Sequence, residues 1–214
     1  MHPVPVFREN ETPPSWCELE GFEIVELNGE GRVERHSSTR RERVLATLGT
    51  TQILYNGGSM LLKEGQFTDV DRFAHPDYSL KGCSASAQVV RLMGHWGSDL
   101  AGCGIFRVQD ELSPSDNGDP VDYPKTTRID SHYHDCDEYW ILLEGRASVV
   151  VGGLQMAMRP GDCVTIGMGH HHDMASAPEP VKAVFFETTL EGQKRVGHLW
   201  NHTHGPARPH PERT

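Results

Sequence analysis

HYHDCDEYW, residues 132–140, sets two histidines, three acids and three aromatics within nine positions. In an extended strand residues i and i+2 face the same side, so His132 and His134 direct both imidazoles to one point. Glu138 has the same parity. It joins them if the chain stays extended or returns on the next strand, with Asp135 to Asp137 forming the bend. Two neutral imidazoles and a carboxylate bind a divalent first-row metal well and leave positions open for substrate, water or dioxygen. A fourth ligand is expected from a neighbouring strand. GMGHHHD, residues 167–173, offers three adjacent histidines, of which strand alternation lets only His170 and His172 point inward together.

The segments around this stretch read as strands. VLATLGTTQILY, YWILLEGRASVVVGG, CVTIGMG and VKAVFFETTL are short runs rich in Val, Ile, Leu and Thr, separated by glycines. Many short strands with regular turn signals indicate an all-β sandwich or barrel. After Gly145, Ala147, Val149 and Val151 alternate and share one face. Gly152-Gly153 is a hairpin turn signal, and Pro160-Gly161-Asp162 is a second turn. ELSPSDNGDPVDYPKTTR, residues 111–128, is a loop long enough to be functional. The proline-rich start reads as an arm, and THGPARPHPERT, residues 203–214, reads as a tail without core residues.

The chain also matches itself at an offset of 96 positions. Residues 41–66 then lie over 137–162 without a gap: Glu42 on Glu138, Gly49 on Gly145, Gly57 on Gly153, Met60 on Met156, Gly65 on Gly161. Beyond that window His36 falls on His132, His75 on His171 and Asp77 on Asp173. An ungapped register of this kind points to duplication. Ser38 stands at the position of His134 and Pro76 at that of His172, so two ligands are missing and the front half is expected to hold no competent metal site.

Totals narrow the function classes. The formal charge is -10, from 20 basic and 30 acidic residues, and no basic stripe is present, which argues against a nucleic-acid partner. No stretch reaches the ~20 apolar residues of a membrane span, and the N-terminus lacks an apolar signal core. A soluble cytoplasmic protein is expected. Five cysteines without a C-x-x-C argue against a disulfide framework or zinc knuckle, and Cys136 reads as a small space-filler.

These motifs resemble those of the cupin superfamily, small double-stranded β-helix (jelly-roll) barrels. The first cupin motif, G-x5-H-x-H-x3-E-x6-G, is met by His132, His134, Glu138 and Gly145, with Thr126 at the leading glycine. The second, G-x5-P-x-G-x2-H-x3-N, is met by Gly161, Gly169 and His172, with Gly167 for the proline and Ser176 for the asparagine. No departure touches a ligand position. The resemblance implies one divalent metal ion (Mn, Fe, Ni or Zn) held by His132, His134, Glu138 and His172. It selects His172 over His170. The implied organisation is an arm (1–19), a degenerate cupin-like β region (20–98), the metal-binding cupin barrel (99–202) and a tail (203–214).

Fold alone does not choose a chemistry. The leading expectation is an enzyme whose metal acts as a Lewis acid on a small polar, sugar- or hydroxy-acid-like substrate, as an isomerase, lyase or decarboxylase. Glu187 or Tyr139, or a non-ligating histidine, would move the proton as the catalytic group. Rival readings are an Fe-dependent dioxygenase and a non-catalytic ligand-binding cupin. Lys125 reads as a solvated loop lysine that could receive a carboxylate or phosphate. HLWNHTHG, residues 198–205, reads as a segment capping the barrel or a partner subunit. By analogy with cupins a homodimer is expected.

Overall fold

The computed structural model describes residues 6–29, 31–98, 102–189 and 197–213. Among them fourteen strands follow in chain order: β1 (Val6–Phe7), β2 (Leu19–Asn28), β3 (Arg32–His36), β4 (Arg41–Leu48), β5 (Thr50–Tyr55), β6 (Gly58–Lys63), β7 (Phe67–Asp69), β8 (Asp77–Gly82), β9 (Ser86–Gly94), β10 (Gly102–Val108), β11 (Asp137–Val151), β12 (Leu154–Met158), β13 (Cys163–Ile166) and β14 (His172–Thr188). One turn of helix, α1 (Asn201–His204), comes last. The chain is all-β, as its alternating apolar runs require. No helix among the described residues is long and apolar enough to cross a membrane.

Two compact units form. One comprises Glu9–Thr12 and Glu18–Trp96; the other comprises Met1–Arg8, Pro13–Cys17 and Gly97–Thr214. β1 pairs with β13, so Val6 and Phe7 join the sheet of the second unit, and Arg8 Nε donates to Asp162 Oδ1 at 2.7 Å.

In that unit the strands run β1-β13-β11-β14-β10, with β12 on β11. β11 and β14 are long and antiparallel, and their pairing slips between Leu142 and Val149. The slip changes the parity of the inward face. Trp140 and Leu142 point into the core before it, and Ala147, Val149 and Val151 after it, all in one cluster with Val164, Ile166 and Met174. Gly145 sits at the bend with φ +80°, and a Cβ there would lie 2.2 Å from the Pro180 carbonyl oxygen. Glycine is needed on both counts. The β11–β12 hairpin turns at Gly152-Gly153, both with positive φ, as a tight primed turn demands.

The other unit stacks two sheets, β2-β9-β4-β7 and β3-β8-β5-β6, around Val44, Ala46, Leu80, Ala87 and Val89. Its register keeps the offset of 96 through β7. Ile53 faces Met60 as Val149 faces Met156, and Arg43 faces Asp69 as Tyr139 faces Thr165. Beyond β7 the offset falls by two. Tyr55 faces Tyr78 as Val151 faces His172, so Tyr78, not Pro76, stands at the position of His172. A β7–β8 connection two residues longer than that between β13 and β14 accounts for the change, which a gapless comparison of the sequence could not follow.

Tyr78 there joins a buried polar group. Its hydroxyl donates to Glu42, and Arg91 Nε donates to Glu42 Oε1 and to the Tyr78 hydroxyl, each at 2.8 Å. Arg91 also pairs with Glu23. A guanidinium thus sits beside Glu42, the counterpart of Glu138. Charges buried this deeply persist only when paired.

Candidate metal centre

Each histidine of the motif is oriented through its Nδ1. His132 Nδ1 is 2.8 Å from the carbonyl oxygen of Asp130, and His172 Nδ1 is 2.9 Å from that of His170. His134 Nδ1 is 3.1 Å from a carboxylate oxygen of Glu187. Carbonyl and carboxylate oxygens accept, so Nδ1 must carry the hydrogen in all three rings. The lone pair is then on Nε2, and all three Nε2 atoms turn to one place. Partners of this kind on the far nitrogen are what metal-ligating histidines have.

The backbone sets this convergence. His132 and His172 form an isolated antiparallel bridge, with reciprocal N–H to carbonyl bonds of 3.3 and 2.9 Å. Glu138 opens β11, and its Oε2 lies 2.8 Å from His172 Nε2 and 3.7 Å from His134 Nε2. Its other oxygen accepts from Trp140 Nε1 at 2.7 Å. One ligand atom from each of His132, His134, Glu138 and His172 lies within 4.8 Å of all the others, and all four residues are buried.

Burial makes the donor set informative. His132 Nε2, His134 Nε2, His172 Nε2 and Glu138 Oε2 are each inaccessible and make no hydrogen bond of acceptable geometry; the 2.8 Å approach of Glu138 to His172 is a close contact only. Orphaned buried polar atoms cost about 1–3 kcal/mol each, and four aimed at one point fit a cation. Burial and the neighbouring His172 and His134 push the His132 pKa down to about 2, so this ring is neutral. Burial alone would raise Glu138, but His134 and His172 outweigh it and hold the carboxylate well below its usual range. A neutral imidazole at His132 beside an ionised Glu138 carboxylate suits a divalent ion.

A cavity of about 520 Å³ opens on this cluster, lined by His132, Glu138, Phe106, Ile129, Trp140 and Phe185, with Gly102, Cys103, Asp130, Glu187 and His198. Its walls combine Phe106, Ile129, Trp140 and Phe185 with the carboxylates of Asp130, Glu138 and Glu187. Phe106 and Trp140 meet edge to face at 5.4 Å.

The other residues singled out in the sequence fall as follows. Glu187 lines the cavity but also receives His134 Nδ1, which makes it a positioning group for that ligand. Tyr139, expected as a proton-moving group, alternates to the face opposite Glu138 and Trp140, is fully buried against Phe186, and does not line the cavity. Of the three adjacent histidines only His172 points in. His171 Nε2 lies 2.8 Å from Asp119, and His170 stays half-buried by Gly152. Lys125 is not solvated; it pairs with Asp116 at 2.8 Å and Asp173 at 3.3 Å, away from the cavity. Cys136 is buried, its Sγ 3.8 Å from His134 Nδ1.

Sequence reasoning gave Asp130 no part in the site, placed Trp140 only beside the motif and gave residues 198–205, with His198 and Trp200, only a capping role. Residues 203–213 are also not a free tail. Leu199 bridges Tyr133, His210 N–H donates to the Met168 carbonyl at 3.1 Å, and Arg213 pairs with buried Asp137. Gly167 and Gly169 leave room for this strap, since a Cβ would lie 2.0 Å from the Arg213 carbonyl oxygen and 2.3 Å from that of Arg208. Asp119 latches it, accepting from Asn201 N–H at 2.7 Å and His202 Nδ1 at 2.7 Å. The signal in the sequence was present but mute, because prolines and polar residues mark a strap and a loose tail alike.

A family model described as Cupin domain matches residues 121–187. An uncharacterized protein, y4oW, from Sinorhizobium fredii (strain NBRC 101917 / NGR234) is 47% identical over 208 residues, covering 97% of this chain and 95% of the relative. Among solved structures, vicilin from Corylus avellana (hazelnut) is similar with a TM-score of 0.59 at 10% identity, over 89% of this chain and 81% of that one. An oxalate decarboxylase from Lactobacillus farciminis, in a formate complex, is similar with a TM-score of 0.53 at 11% identity, over 90% and 88%. At such identities the two structures speak for the fold alone.

Proposed function

The chain belongs to the cupin superfamily, and from that premise we propose that it is an enzyme using one divalent metal ion on a small-molecule substrate bound in the 520 Å³ cavity. His132, His134, Glu138 and His172 would hold the ion. The observation that carries the reading is the set of three Nε2 atoms and one carboxylate oxygen, all buried, without hydrogen bonds and converging beside an open cavity. When bound, a divalent ion supplies Lewis-acid polarisation of a substrate oxygen, or, if redox-active, one-electron chemistry with dioxygen.

The chain's own residues do the rest. Glu187 and the carbonyls of Asp130 and His170 fix the three imidazoles. Trp140 holds the Glu138 carboxylate in one orientation. Phe106, Ile129 and Phe185 exclude water from one side of the cavity, which strengthens every electrostatic contact inside it.

Isomerase, lyase or decarboxylase chemistry is the first reading, since it asks nothing of the site but polarisation and proton transfer. The apolar walls favour a second reading, an Fe-dependent dioxygenase. Elemental analysis of purified protein is the first test: about one metal per chain is expected, with loss of it in His134→Ala and Glu138→Ala. Retention of metal by both variants would sink the assignment. A substrate screen under air and under argon then separates the chemistries. Turnover that needs air selects the oxygenase, turnover in argon selects the Lewis-acid reaction, and a metallated protein inert to both is a binding protein.

A further inference from the structure

The strap of residues 198–213 grips the chain beside every one of the four ligands. Tyr133, between His132 and His134, exchanges reciprocal backbone bonds of 3.0 and 2.9 Å with Leu199, and its hydroxyl donates to the Gly205 carbonyl at 2.9 Å. Asp130, whose carbonyl oxygen orients His132, accepts from Trp200 Nε1 at 2.8 Å through Oδ2. The His198 ring stacks on that of His132, centroids 3.9 Å apart and planes within 11°. Asp137, next to Glu138, is buried and pairs with Arg213. His171, next to His172, lies 2.8 Å from Asp119, which accepts from Asn201 N–H and His202 Nδ1, each at 2.7 Å.

Resting on the metal-centre reading, we infer that Arg213 is a positioning residue for Glu138, and that strap docking and metal binding stabilise each other. The backbone argues for it first. His132 and His134 precede β11 and lie outside the strands. Of the two isolated bridges that hold their segment, His132 to His172 and Tyr133 to Leu199, the second comes from the strap. Donor atoms must meet an ion at about 2.0–2.2 Å, so freedom in that segment is felt directly in affinity. Outer partners of metal ligands are worth about 10–100-fold in metal affinity. Reciprocity then follows: the factor by which the docked strap tightens the metal is the factor by which the metal tightens the strap.

Gly167 provides a wedge. Its φ lies outside the left-handed range, and a Cβ there would stand 2.0 Å from the Arg213 carbonyl oxygen. Gly167→Ala therefore lifts this end of the strap while leaving every side chain of the strap and of the ligands as it is.

The test titrates full-length protein with zinc, or with manganese, iron or nickel if it takes no zinc, against a competing chelator. Gly167→Ala and Arg213→Ala should each weaken the metal by about tenfold. Arg213→Lys, which keeps a cation facing Asp137, should regain part of the loss. The converse is read in the unaltered protein: hydrogen exchange at the Leu199 amide should slow by about tenfold when the metal is added. His134→Ala, lacking a ligand, should show no such slowing. Metal affinity within twofold of the parent in either strap variant, or strap exchange that ignores the metal, overturns the inference and leaves the metal centre intact. If both variants fail to fold, the exchange comparison on the unaltered chain decides alone. A parent protein that takes up none of the four metals overturns the metal reading and this inference with it.

Discussion

His134 Nδ1 and a carboxylate oxygen of Glu187 stand 3.1 Å apart at the wall of the cavity. Glu187 thereby fixes the tautomer and plane of a ligand whose Nδ1 is otherwise approached by Cys136 Sγ at 3.8 Å. Glu187→Ala should lower metal affinity by about 10–100-fold, the usual cost of losing such a partner, and Glu187→Gln by less. Competition with a chelator measures it. An unchanged metal affinity with a collapse in turnover would instead make Glu187 a proton carrier.

Tyr139 faces away from the ligands although it adjoins one in sequence. Tyr139→Phe should keep metal content and leave kcat/KM within about twofold, which is below ~0.5 kcal/mol in transition-state terms. A loss of a hundredfold or more would return Tyr139 to the reaction.

In the first unit, Arg91 is the buried cation between Glu42, Glu23 and the Tyr78 hydroxyl. Removing it leaves Glu42 buried and uncompensated. Arg91→Met should destabilise that unit by about 3–5 kcal/mol, read as a fall in its denaturant midpoint. Adding Glu42→Gln should recover part of the loss, a coupling that a double-mutant cycle measures. Ser38→Ala, by contrast, should change neither stability nor metal content.

The latch on the strap makes a prediction about acid. Burial would raise the Asp119 pKa, but the Asn201 N–H, His171 and His202 outweigh it and bring it down to about 2. A carboxyl depressed on folding contributes stability that is fully present above its unfolded value, about 3.9, and is lost as pH falls through about 2. Stability should therefore drop across that window, and Asp119→Asn should remove this part of the pH dependence. Release of the strap can be followed by cleavage near residues 205–213, expected sooner in Asp119→Asn than in the parent. Equal cleavage rates would show that Arg213–Asp137 and the backbone bonds hold the strap unaided.

The alternation of Ala147, Val149 and Val151, the paired glycines at 152 and 153, and the spacing of His132, His134 and Glu138 were all local patterns. Strand parity, turn chemistry and ligand type are properties of neighbouring residues, so an all-β chain with a metal-binding motif could be read directly from the order of residues. The repeat was legible for the same reason, and only as far as its register ran without a gap. Tertiary structure decided the rest. It made Tyr78 the counterpart of His172, lined the cavity with Phe106 and Phe185, and folded residues 198–213 back so that His198 stacks on His132. Those outcomes depend on bulges, strand pairing and chain return over long separations. Such contacts bring together residues far apart in sequence, where no local period records which of them will meet.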